Sequence, residues 1–187
     1  MQITSKTSFH DFMTFCSTGL VSEQHIAQLT SRPRPAHLCG VMLPANLNSA
    51  TLLQLSKMRD MPQDIEGVFY LIETFLSLPR KRVIKEPAAS VLAVAGWIMG
   101  ELDKIARAFD RIKTSYTAEE IRAGVKRLDF GYYGMADSYA LRMGITDPDV
   151  VMETTPWLKI YHAMKKDNEI DAYQRRLRNE YNKKTKK

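Results

Sequence analysis

Four side chains in the first forty residues are of types that ligate transition metals: His10, Cys16, His37 and Cys39. Zinc sites of the finger and ribbon kinds need ligand pairs at short fixed spacings, so that one tight turn delivers two donors to one ion. The spacings here match neither pattern, and a free cysteine commonly serves as a small buried apolar residue. No metal is expected. Paired carboxylates occur at Glu119/Glu120 and Asp147/Asp149, both at expected helix starts, where the helix dipole accounts for an acid without catalysis. No serine sits in a G-x-S-x-G elbow, and His162 lies on a lysine-rich helix without an evident partner. Asp129-Phe130-Gly131 has the form of a kinase magnesium-binding triplet. A kinase also needs a glycine-rich phosphate loop and a His-Arg-Asp catalytic loop, and this chain has neither and is too short. Walker and dinucleotide glycine patterns are absent. The residues point to a non-enzymatic protein with no cofactor.

What remains is charge. Arg80-Lys81-Arg82 with Lys85 forms a local cationic cluster; it can hold a phosphate, although a solvated loop is the commoner role. The net charge is +6, and from Lys165 onward nine Lys/Arg stand against four acids, so the tail carries +5 of it. Arg175, Arg176 and Arg178 interleave with Tyr173 and Tyr181, a pattern suited to phosphate contact plus base stacking on a single strand. The same stretch holds Asp167, Glu169, Asp171 and Glu180, and its tyrosines share an apolar stripe with Ile170 and Leu177. Amphipathic packing against a protein explains them equally well.

The elements that must carry these groups are helical. Val91, Ala95, Ile98, Leu102, Ile105, Phe109 and Ile112 alternate at spacings of four and three, which predicts a central helix over about 87–113, opened by Pro87. Val94, Met99 and Ala106 widen its stripe beyond a coiled-coil seam, so it is expected to be the buried hub. Before it, Ser8 and Ser22 can cap two short helices separated at Gly19. Ser31–Ala36 reads as an extended proline linker. His37–Leu43 is the best strand candidate, either paired with Arg80–Ile84, the other candidate, or simply an extended connector. Helices follow at about 48–59 and from Met61-Pro62 to Leu78, the latter burying Ile65, Val68, Phe69, Ile72, Phe75 and Leu76. Beyond the hub, Thr117 with Glu120 forms a capping box for 118–127, interrupted at Gly124. The two glycines of Gly131–Gly134 are expected to let the next helix, Tyr132–Met143, start close against another element. Gly144 caps its end. Asp147-Pro148 and Thr155-Pro156 each start a helix.

The expected fold is all-α: a helical bundle of seven to nine helices on the central helix, at most one short β-hairpin, and a basic C-terminal helix. Its parts are residues 1–36 (short helices and linker), 37–155 (helical core) and 156–187 (basic helix). The start of the chain lacks a leader pattern, no apolar run is long enough for a membrane span, and two cysteines make no disulfide framework. A cytoplasmic protein is expected.

The last helix changes face. At 100° per residue, Trp157, Ile160, Tyr161 and Met164 cluster on one side and Ile170, Tyr173, Leu177 and Tyr181 on the other. Either the helix breaks near Asp167-Asn168 or its halves serve different surfaces, the first on the body and the second on another chain. Ile170, Tyr173, Arg175, Arg176, Leu177, Arg178 and Tyr181 are therefore the candidate partner-binding residues.

From Leu128 onward, the order LDFGYYGMADSYALRMGITDPDVV, TPWLKIYHAMKKD, AYQRRLRNEY resembles the tail assembly chaperones of tailed phages. That resemblance implies a protein that binds the long helical tape-measure protein, keeps it soluble and helps tail-tube subunits gather on it. A head–tail adaptor of the virion is the neighbouring expectation, and a nucleic-acid-binding regulator is the alternative from another class.

Overall fold

The computed structural model describes residues 4, 6–19, 21–112, 116–128 and 130–185. Lys113, Asp129, the two final lysines and most of the first five residues, on which parts of the readings above fall, lie outside the described residues. The elements are α1 (Phe9–Ser17), α2 (Glu23–Thr30), β1 (His37–Leu38), β2 (Val41–Met42), α3 (Leu52–Arg59), α4 (Ile65–Leu76), α5 (Arg80–Val83), α6 (Ala88–Asp110), α7 (Ala118–Arg122), a 3-10 turn at Val125–Arg127, α8 (Gly131–Met143), α9 (Pro148–Thr154) and α10 (Trp157–Thr185). With ten α-helices against one two-stranded hairpin among the described residues, the fold is all-α.

Five helices, α1, α2, α4, α7 and α9, start where a side-chain oxygen satisfies first-turn amides. Ser8 Oγ accepts from Asp11 N–H at 3.1 Å and Asp147 from Asp149 N–H at 2.9 Å. The capping box closes on both sides: Glu120 N–H reaches Thr117 Oγ1 at 3.2 Å and Thr117 N–H reaches Glu120 Oε2 at 2.7 Å. Gly144, at φ 68°, ends α8, and Ile145 N–H returns to the Ala140 carbonyl at 2.9 Å.

Five local expectations are corrected. His37–Leu43 is not one strand but a complete hairpin, pairing His37 with Met42 and Leu38 with Val41. Cys39 and Gly40, at φ 50° and 74°, turn it with two left-handed residues, the geometry that matches strand twist. Arg80–Ile84 is therefore no partner strand. It is the short helix α5, begun when Pro79 fixes its own φ and offers its carbonyl to Arg82 N–H at 2.9 Å. With it the described residues hold ten α-helices, one beyond the expected range. The fourth helix starts at Ile65 rather than Met61-Pro62, because the Asp64 carboxylate caps both Glu66 and Gly67 N–H. Gly134 does not receive another element: a Cβ there would lie 2.4 Å from Phe130 Cβ, so the space it leaves is filled from its own helix's entry.

The chain divides into two compact units, Met1–Leu47 with Gln54–Lys104, and Asn48–Leu53 with Ile105–Lys187. In the first unit, Phe9 stacks near Phe12 at 6.1 Å between ring centroids and meets Phe69 edge-on at 5.2 Å. Leu38, Leu47, Leu55, Met58, Leu71, Ile72 and the α6 residues Val91 to Ala95 and Ile98 are buried with them. Each of the larger side chains among them contributes about 1.5–3 kcal/mol on leaving water. The entry to α1 is tied to the entry to α6, since Phe9 N–H donates to the Glu86 carbonyl and Ala88 N–H to the Thr7 carbonyl. The proline linker is held by Arg34, whose guanidinium lies 4.4 Å over the Trp97 ring.

In the second unit, Ile105, Ala136, Ala140, Val151, Met152, Trp157 and Ile160 are buried. Phe109 lies 5.8 Å from Trp157 and 5.7 Å from Tyr161. Trp157 N–H donates to the Ala50 carbonyl at 2.8 Å, fixing the start of α10.

Candidate partner-binding surface

α10 runs unbroken for 29 residues. Asp167-Asn168 does not break it: one continuous helix carries two stripes on opposite faces. The first stripe is covered, with Trp157 and Ile160 buried and Tyr161 and Met164 half-buried. In the second stripe, Ile170, Tyr173, Leu177 and Tyr181 are between 39% and 61% exposed.

The helix is anchored midway. Arg142 of α8 donates through Nη1 to the Ala163 carbonyl at 2.9 Å and to Asp167 Oδ2 at 2.5 Å. A second tie comes from Arg175, whose Nη1 lies 3.8 Å from Glu120 Oε2. The Glu120 carboxyl is held below the usual glutamate range first by the Thr117 backbone N–H, with the Arg175 charge adding to it. Lys183 pairs with Glu180 at 2.8 Å one turn away. Of the seven candidate residues, Arg175 is thus half-buried and engaged with its own unit, while the other six are exposed. The cationic part of the surface rests on Arg176 and Arg178.

Inspection of the sequence missed a second exposed apolar group in this unit. Leu128, Phe130, Tyr133 and Leu141, at the entry to α8 and along it, are 53–75% exposed. Phe130, Tyr133 and Leu141 fall on one helical face together with Asp137, and a charged residue among them was the available signal that this face meets water.

The other candidate chemistries are dispersed. Arg80 makes a two-point ion pair with Glu66 at 2.7 and 2.8 Å and lies 4.3 Å over the Phe69 ring. Arg82 donates to the Cys39 carbonyl. These contacts bind the Arg80–Arg82 cluster to its own unit rather than converging it on a phosphate. Burial pushes the Cys16 and Cys39 thiols up; at Cys39 nearby Glu86 adds to the rise and Arg82 opposes it. Raised thiols stay protonated and are poor nucleophiles and ligands. Among the described residues no three His, Cys, Asp or Glu side chains gather to hold a metal ion, and no polar or charged side chain is buried.

Comparison with protein families, curated proteins and solved structures finds no match to this chain. Among the described residues no helix is long and apolar enough to cross a membrane.

Proposed function

We propose that this protein is a non-enzymatic assembly factor that binds another protein through the second half of α10. The exposed stripe of Ile170, Tyr173, Leu177 and Tyr181 carries this reading. An apolar stripe flanked by charge on a continuous helix is what lays into the groove of a partner, or receives a partner helix. Within that class we favour a tail assembly chaperone, in keeping with the resemblance of residues 128–187. Its client would be a tape-measure protein or, through it, tail-tube subunits; a head–tail adaptor would use the same surface. Binding a long amphipathic helix asks for adaptable apolar contact and no chemistry.

The test is co-expression with the product of a neighbouring long, coiled-coil-rich reading frame. The wild type should keep that product soluble, and Tyr173→Asp with Leu177→Asp should leave it in the pellet. Equal solubility with both would overturn the reading. The exposed Arg176 and Arg178 beside Tyr173 and Tyr181 favour one other use, single-strand binding. A steep fall of affinity for a generic oligonucleotide with rising salt would support it over the client-binding role.

A further inference from the structure

The first unit carries an open apolar groove of about 700 Å³, walled by α1, α2, the approach to α4, and α6. Phe12, Met61, Leu71, Leu92 and Met99 supply much of its lining. The charged side chains that line it, Asp64 and Asp103, are both acids. Two glycines one turn apart on α6 behave differently there. Gly96 is packed: a Cβ would lie 2.3 Å from the Thr30 carbonyl oxygen. Gly100 is not, because a Cβ would meet nothing within 4 Å. A glycine inside a helix costs about 0.5–1 kcal/mol relative to alanine, and among the described residues no contact accounts for it. Beside it, Met99 is 45% exposed although it lies in the middle of an apolar helix.

The same chain holds a surface of complementary form. Ile170 to Tyr181 spans about 16 Å of helix at 1.5 Å per residue. Arg176 and Arg178 flank the stripe on its two sides at 100° per residue, and Ile170–Lys184 has five Lys/Arg against two acids. We propose that the groove receives the second half of α10 from another copy of the chain. Ile170, Tyr173 and Leu177 enter beside Gly100 and Met99, while Arg176 and Arg178 face the acids of the rim. The inference rests on the reading of α10 as a protein-binding surface. It adds that two apolar surfaces, each left open by one copy, cover one another until a client helix takes the stripe.

The experiment is light scattering on the full-length protein across concentration. The wild type should show association above the monomer mass, weakened by raised salt. Gly100→Trp fills the groove from a position where the added side chain meets open space, and Leu177→Asp spoils the stripe. Each should weaken association by about tenfold or more, with thermal melting confirming that both variants fold. Mixing the two should restore association, since one variant retains an intact α10 and the other an intact groove. A wild type that stays monomeric, or a Gly100→Trp variant that associates like wild type, would overturn the proposal. The client assay separates the two readings. Gly100→Trp should still keep the client soluble and Leu177→Asp should not; self-association retained in Gly100→Trp while Leu177→Asp loses the client sinks only the groove, and a client kept soluble by Leu177→Asp sinks the reading of α10.

Discussion

The apolar part of α6 and the second half of α10 place their large side chains at the same three-and-four spacing, yet Val91 and Ile98 are buried and Ile170 to Tyr181 face water. The difference lies between the stripe positions. From Ala88 to Gly100 no residue is charged, and Ala93 and Val94 carry the apolar surface most of the way round the helix. Several neighbours can therefore enclose it. Around Ile170–Tyr181 the remaining positions include Asp171, Arg175, Arg176, Arg178 and Glu180, which leaves a single arc of about 160° without charge. Spacing says which residues share a face. The width of the apolar arc says whether that face is closed within the chain or left for another surface.

The comparison breaks if a charge is tolerated in α6 or unfolds the protein from the tail of α10. Ile98 has no exposed surface, so Ile98→Asp should bury an unpaired carboxylate and cost more than about 4 kcal/mol. Urea denaturation would show a protein unfolded, or nearly so, at neutral pH. The same helix pair gives a second, smaller test. Trp157 lies on the covered stripe of α10 against Phe109 and Tyr161, and Trp157→Ala should cost about 3–4 kcal/mol by the cavity it leaves. A loss below about 1 kcal/mol would mean that the first half of α10 is no better covered than the second.

Much of the fold was legible because its signals are local. Ser8, Ser22, Thr117 with Glu120, and Asp147 with Pro148 all cap where their chemistry requires, and Gly144 ends its helix. The hairpin was half-seen: the run His37–Leu43 advertises extended backbone, but nothing local reveals that Cys39 takes a left-handed φ beside Gly40. Arg80–Val83 is helical because Pro79 starts a turn, and its arginines are held by Glu66, Phe69 and the Cys39 carbonyl, partners up to 43 residues distant. Exposure was the least legible property. Met99 and Ala106 read as part of a buried stripe and are exposed, since a helix tells its own periodicity and nothing of the groove beside it. For the same reason the exposed face of Phe130, Tyr133 and Leu141 is not legible from their spacing.

A third test concerns how the tail of α10 is held. Thr117→Ala removes the oxygen that caps α7 and should cost about 1 kcal/mol. The sign of the box's pH dependence follows from Glu120. Its folded carboxyl titrates below its unfolded value, so the stabilisation is present above the unfolded value and is lost as pH falls through the folded one. Thr117→Ala keeps the backbone N–H that chiefly lowers this carboxyl, so it is Glu120→Ala whose gap to wild type should narrow in acid, and thermal melts from neutral pH down to pH 3 would show those two curves converging. A gap that widened with acid would mean that Glu120 is not held by this box.

The smallest effect is the one that most sharpens the contrast. Leu177 is as apolar as Ile98 and sits in a stripe of the same spacing, but 39% of its surface already meets solvent. An aspartate there keeps its hydration, displaces no neighbour and lies within a helix that already alternates acids and bases. Leu177→Asp should shift unfolding stability by no more than about 0.5 kcal/mol, the range of an ordinary surface substitution, while it abolishes association. Denaturation and light scattering on one preparation would separate the two quantities. Stability lost in proportion to association would assign the stripe to the fold rather than to a partner. A fold unchanged alongside association lost would leave α6 as the helix that the chain closes upon itself and α10 as the helix that it keeps open.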